Sequence, residues 1–270
     1  VIPSQTAPAW SSFQTGCRPG KTGIFTFHRY DPVQKRLRFN SYTDLAVPTL
    51  WELADQAGKK IVAINFPMTS PPPKINGVII PGLLCPSLSA QTVHPSEVYE
   101  KYIACEPDYK IVDARPVESV EEFIGRHIRI EQARMRVGMR LMAEMEWDLF
   151  CYEMQSTDHV QHHFWSALDR TLPNFREENR REVSRFYRCC DEILSRLIES
   201  AGPEVLTLVV SDHGFARLDT FFKMNVWLRQ HGYLKLSRSS QRQETRNQLK
   251  RKIPILRYLA RGYGRLKKTW

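Results

Sequence analysis

Two places in this 270-residue sequence set a carboxylate beside an imidazole just after an apolar run. In VLTLVVSDHGF, Asp212 and His213 directly follow a β-branched stretch, and the next residue is a glycine that permits a sharp exit. In DLFCYEMQSTDHVQHHFW, Asp158 and His162 stand four residues apart, so on a helix they share one face and can converge on one ion. Carboxylate oxygen together with imidazole nitrogen suits Zn²⁺, Mn²⁺ or Fe²⁺ better than Mg²⁺ or Ca²⁺. Taken singly, each cluster has a plainer reading: an aspartate capping a turn, or a histidine-rich helix surface. Both clusters fall just beyond apolar strand patterns, and together they point to metal binding.

A third group lies in PSQTAPAWSSFQTGCRPGKTGIF, with hydroxyls at Thr6, Ser11, Ser12 and Thr15 and glycines at 16, 20 and 23. Pro8 suits the first turn of a helix and Gly16 its stop. Thr6 is then expected at the helix amino terminus, where free N–H groups and the helix dipole favour a phosphate. The glycine spacing ahead of Lys21 and Thr22 is not that of a P-loop.

Positioning such groups requires a sheet whose strands end together. KIVAINF (60–66), DLFCYEM (148–154) and VLTLVVS (205–211) read as short buried parallel strands. Helical patterns at 47–59, 121–147 and 180–202 each precede one of them. Alternating helix and strand predicts an α/β fold with a doubly wound, mostly parallel sheet sandwiched by helices, with functional groups beyond the strands' carboxyl ends. Residues 1–66 and 148–236 are expected to form this core. The Pro-rich stretch that follows Phe66 breaks the rhythm, and 67–147 is expected to hold an inserted cap together with a connecting helix. Segment 237–270 reads as a basic helical piece.

Net charge narrows the partners. The chain carries +10, and 237–270 holds eleven Lys/Arg against the single acid Glu244, which leaves the rest of the sequence neutral. The basicity belongs to the tail, which could contact an anionic surface, lipid or nucleic acid. The plainer reading, a surface helix of the same fold, is preferred because no base-reading motif accompanies the charge, and no specific nucleic-acid partner is implied. The six cysteines have no paired spacing, which predicts neither a disulfide framework nor a cysteine zinc site. With no apolar run of the ~20 residues that cross a bilayer, and no leader visible, a cytoplasmic location is expected.

PSQTAPAWSSFQTGCRPGKTGIF, TDHVQHHFW and VVSDHGF, in that order, resemble the type I phosphodiesterase/nucleotide pyrophosphatase family of the alkaline phosphatase superfamily. The likeness runs from residue 1 to about 236 and takes in NFPMTSPPP and MNVWLRQHGYLKL. It implies an alkaline phosphatase-like core, two divalent metal ions, Zn²⁺ ahead of Mn²⁺, and a small phosphoester substrate. Thr6 aligns with the nucleophile and a ligand of one metal, Asp212 and His213 with ligands of that same metal, and Asp158 and His162 with ligands of the other. His159, His163, Cys17 and Lys21 match no ligand position. Phe27 stands where some relatives hold a phosphoryl oxygen with an Asn, although His28 is adjacent. The family also has a ligand Asp upstream of the nucleophile and a ligand His well beyond SDHGF. Neither is found here, and the chain is expected to be a fragment truncated at both ends.

The implied activity is hydrolysis of phosphate esters, most of all phosphodiesters or nucleotide pyrophosphates, through a phosphothreonine intermediate. Phosphoryl transfer or phosphomutase chemistry at the same site is the competing enzymatic reading. A catalytically inactive metal-binding module and a nucleic-acid binder are the readings from other classes.

Overall fold

The computed structural model describes residues 2–237, Ser240 and Arg242. The chain divides into two compact units, 1–216 and 217–270. The first unit begins with α1 (Thr6–Thr15) and the short α2 (Pro19–Thr22). The hairpin β1 (His28–Asp31) and β2 (Arg36–Phe39), then α3 (Leu50–Gln56), lead to β3 (Ile61–Phe66) and β4 (Gly77–Pro81). The long α4 (Val120–Glu144) enters β5 (Leu149–Tyr152), followed by α5 (Ser156–Leu168) and α6 (Glu177–Ala201). The second unit contains α7 (Met224–Gln230). Most of the basic tail lies outside the described residues.

Strands β4, β3 and β5 form a parallel sheet with β3 in the middle. Every residue of IVAINF in β3 is buried, as a central strand covered on both faces requires. On one face Val62, Ile64, Val78 and Ile80 pack against Ala133, Val137 and Leu141 of α4. On the other, Ile61, Ala63 and Ile79 meet Trp10 of α1 and Trp51 of α3. Helices therefore cover both faces, the α/β arrangement read from the sequence. The helices expected at 47–59, 121–147 and 180–202 stand as α3, α4 and α6.

Two expectations need correction. Val205–Ser211 is not a strand: β5 is an edge of the three-stranded sheet, and Leu206 and Leu208 are 84% and 76% exposed. An apolar run records a tendency toward burial, but a strand also needs a neighbouring backbone to complete its ladder. Gly77–Pro81, placed by sequence in the inserted stretch, is a strand of the main sheet. Its proline-rich approach hid four apolar residues that pair with β3. The hairpin β1–β2 was also not foreseen, because its strands are short and half of their residues are charged.

Two glycines differ sharply in what they allow. A Cβ at Gly82 would lie 1.7 Å from the Asn65 carbonyl oxygen, where β4 leaves the sheet beside the bulge in β3. Gly16 has φ 65° as the cap of α1 but open space around its missing Cβ. Gly82→Ala is therefore expected to destabilise the chain by about 3 kcal/mol or more. Gly16→Ala is expected to cost about 1 kcal/mol, from the left-handed backbone alone. Urea unfolding of the two variants measures the difference, and equal losses would show that the close approach at Gly82 relaxes freely.

Candidate functional site

Thr6 opens α1, the proline two residues on fixes the first turn, and Gly16 ends the helix by donating its N–H to the Ser12 carbonyl. Gln5, just before the helix, supplies no side-chain cap, so the first-turn N–H groups point toward whatever lies at the Thr6 end. Trp10 and Phe13 clamp the helix onto Phe66, with Trp10 edge-on to both rings, and Gln14 donates to the Pro67 carbonyl. These contacts fix Thr6, only 7% exposed, at the carboxyl end of β3.

The other expected residues come from α5 and the segment after Ser211. Asp158 lies in the first turn of α5 and His162 one turn on, as their spacing predicts. His162 Nε2 is 3.4 Å from Asp158 Oδ1. His213 Nε2 is the hub of the group: it lies 3.3 Å from Asp212 Oδ2, 3.9 Å from Asp158 Oδ1 and 3.3 Å from Thr6 Oγ1. Its Nδ1 is 3.1 Å from the Gly214 carbonyl. All five residues named from sequence, drawn from three segments remote along the chain, thus meet in one place. Phe215 closes one side against His162, His213 and Trp165. His159 and His163 turn elsewhere, toward His127 and Phe123.

Electrostatically the cluster is short of positive charge. Burial raises the Asp158 carboxyl above its ordinary range, and the nearby His162 and His213 only partly offset it. Burial likewise raises Asp212, with His213 opposing and Asp158 adding to the rise. Asp158 Oδ1 is buried and has no hydrogen-bond partner. Beneath them Glu153, at the end of β5, is pushed well above the carboxylate range by burial, against the pull of Arg134. Its Oε2 accepts a 2.5 Å hydrogen bond from Asn65 Nδ2. Asn65 sits at the β3 bulge with φ 69°, a conformation asparagine adopts more readily than most residues.

Sequence reading passed over Glu153, Asn65, Glu131 and Arg134. The signal was present as charged or amide residues inside otherwise apolar patterns, Glu153 at the end of LFCY and Glu131 on the buried side of α4. As the side chains stand, no group of three or more His, Cys, Asp and Glu among the described residues could hold a metal ion. No described helix is long and apolar enough to cross a membrane.

The sequence matches the model of the type I phosphodiesterase / nucleotide pyrophosphatase family over residues 1–265. The chain belongs to that family. Two solved structures of phosphonoacetate hydrolase from Sinorhizobium meliloti 1021 are similar to it. The complex with phosphonoformate shares 21% identity at a TM-score of 0.44, and the complex with phosphonoacetate 19% at 0.43. Each alignment covers 75% of this chain and 44% of the other, so the chain spans less than half the length of those proteins. No curated protein matches it in sequence.

A desolvated carboxylate oxygen without a partner destabilises the ion-free fold. Because burial raises Asp158 in the folded chain, the penalty is full above that raised value and vanishes below the unfolded aspartate value of ~3.9. Asp158→Asn is expected to stabilise the chelator-treated chain by about 1 kcal/mol at neutral pH and to leave it unchanged near pH 3. Thermal unfolding at the two pH values checks this; a loss of stability at neutral pH would mean that Asp158 is satisfied without an ion.

Proposed function

We propose that this chain carries a metal-dependent phosphoester hydrolase site in which Thr6 is the nucleophile. The observation behind the proposal is the place of Thr6 Oγ1, at a helix amino terminus and 3.3 Å from an imidazole flanked by two aspartates. Membership of the family supports the same reading.

The residues suit a cation. Asp158 Oδ1 is buried without a hydrogen-bond partner, two acids are desolvated, and the donors are oxygens and imidazole nitrogens, the set that favours Zn²⁺ and then Mn²⁺. Following the family assignment, Asp212, His213 and Thr6 would hold one ion and Asp158 and His162 a second. Bound divalent ions would supply positive charge that makes a ligated hydroxyl more acidic and neutralises the leaving oxygen.

The chain's own residues do the rest. The first turn of α1 directs N–H groups toward the phosphoryl oxygens of a small phosphoester. Thr6 Oγ1 would give up its proton and form a bond to phosphorus as the bond to the leaving group breaks and the leaving oxygen takes a proton, and water would then release the remaining phosphomonoester from the phosphothreonyl intermediate and restore the Thr6 hydroxyl. Phosphodiesters or nucleotide pyrophosphates are the proposed substrates.

Hydrolysis of bis-p-nitrophenyl phosphate against p-nitrophenyl phosphate, with Zn²⁺ or Mn²⁺ titrated into chelator-treated protein, tests the reading. It should be run on the 270-residue chain and on any longer form of the protein. Metal-dependent turnover that favours the diester is expected, with Thr6→Ala lowering it at least about 10³-fold while Zn²⁺ still binds. Turnover unchanged in Thr6→Ala would remove the nucleophile assignment, and turnover indifferent to chelation would remove the metal.

A further inference from the structure

Helix α5 carries two of the proposed metal ligands but has no cap of its own: Gln155 precedes it and makes no side-chain cap hydrogen bond. The missing acceptor comes from another helix. Glu131 of α4, fully buried, accepts a 3.0 Å hydrogen bond on Oε1 from the Ser156 N–H, the first amide of α5. The same oxygen is 2.7 Å from Arg134 Nη1, and that guanidinium is itself buried and donates to the Lys110 and Ile111 carbonyls. Glu131 is thus held from one side by a clamped arginine and bonds the start of α5 from the other. Asp158 is the third residue of that helix.

We infer that Glu131 is a positioning residue which, held by Arg134, caps α5 from α4 and fixes the first turn that presents Asp158 and His162. This rests on the metal-site reading proposed above. A carboxylate at a helix start satisfies an otherwise unpaired N–H and opposes the helix dipole, and the first turn is the part that frays without it. Burial makes the cap firm, because no water stands ready to replace the acceptor. The arginine cannot simply be left behind, since a buried guanidinium without its partner is itself strongly destabilising.

Two double variants separate the cap from the ion pair. Glu131→Gln with Arg134→Met removes both charges and keeps an acceptor for Ser156; Glu131→Leu with Arg134→Met removes both charges and the acceptor. Each is compared with the native chain by amide hydrogen exchange over 156–158 and by Zn²⁺ affinity in competition with a chromophoric chelator. Asp158→Ala serves as the control for a lost ligand.

The leucine variant is expected to exchange the Ser156 amide at least tenfold faster and to bind Zn²⁺ about 10–100-fold more weakly. The glutamine variant is expected to stay within about threefold of the native chain in both. Equal exchange in the two variants would overturn the cap. Faster exchange with unchanged Zn²⁺ affinity, where Asp158→Ala does lose affinity, would overturn the positioning role. If the native chain binds no Zn²⁺, or Asp158→Ala binds it normally, the metal reading fails first and the inference falls with it.

Discussion

A strand covered on both faces has one outlet for its backbone polar groups, the ladders to its two neighbours, and β3 is in that position. All six of its side chains are buried, α4 lies on one side and α1 with α3 on the other, and β4 and β5 complete its hydrogen bonds. Because both ladders are parallel, the three strands end on the same side. The chain leaves β3 through the Asn65 bulge and β5 through Glu153, and α1 is clamped over Phe66 by aromatic contacts. The location of Thr6 and Asp158 follows from that common edge.

The same constraint explains why the site rests on buried charge. Polar groups at the end of a covered sheet have little water, so each needs a partner within the protein. Asn65 bonds Glu153, Glu131 bonds Arg134 and the first amide of α5, and Arg134 also takes two backbone carbonyls. The pairing is incomplete: Asn65 Oδ1, Glu131 Oε2 and Asp158 Oδ1 are buried with no hydrogen-bond partner, and Asp158 and Asp212 are both raised by burial.

Much of this was legible in the sequence, and the failures have a common cause. Helices α4 and α6 were readable because their apolar residues repeat at the helical period over many turns. The start of α1 was readable from Pro8 and Gly16, and the pairing of Asp158 with His162 from a spacing of four. Val205–Ser211 misled, because composition expresses how well a segment suits burial and contains nothing about which backbone lies beside it. Strand β4 was hidden by neighbouring prolines for the converse reason: its partner β3, and not its own pattern, makes it a strand. Glu131 was invisible as a cap because it lies on a different helix from the amide it serves, 25 residues away.

This division also bears on why local rules single out the candidate site residues and pass over the residues that support them. A ligand or nucleophile must match a chemical role, so its type and spacing are constrained along the sequence itself. A supporting group has only to place an acceptor where a particular N–H points, and any element that reaches the spot can supply it. Arg134 and Glu131 fill that role from α4, the helix whose Gly138 lies against Tyr152 of β5; a Cβ there would stand 3.3 Å from the ring. That helix–strand contact keeps α4 within reach of the turn into α5, where one buried carboxylate accepts from the first amide of the next helix.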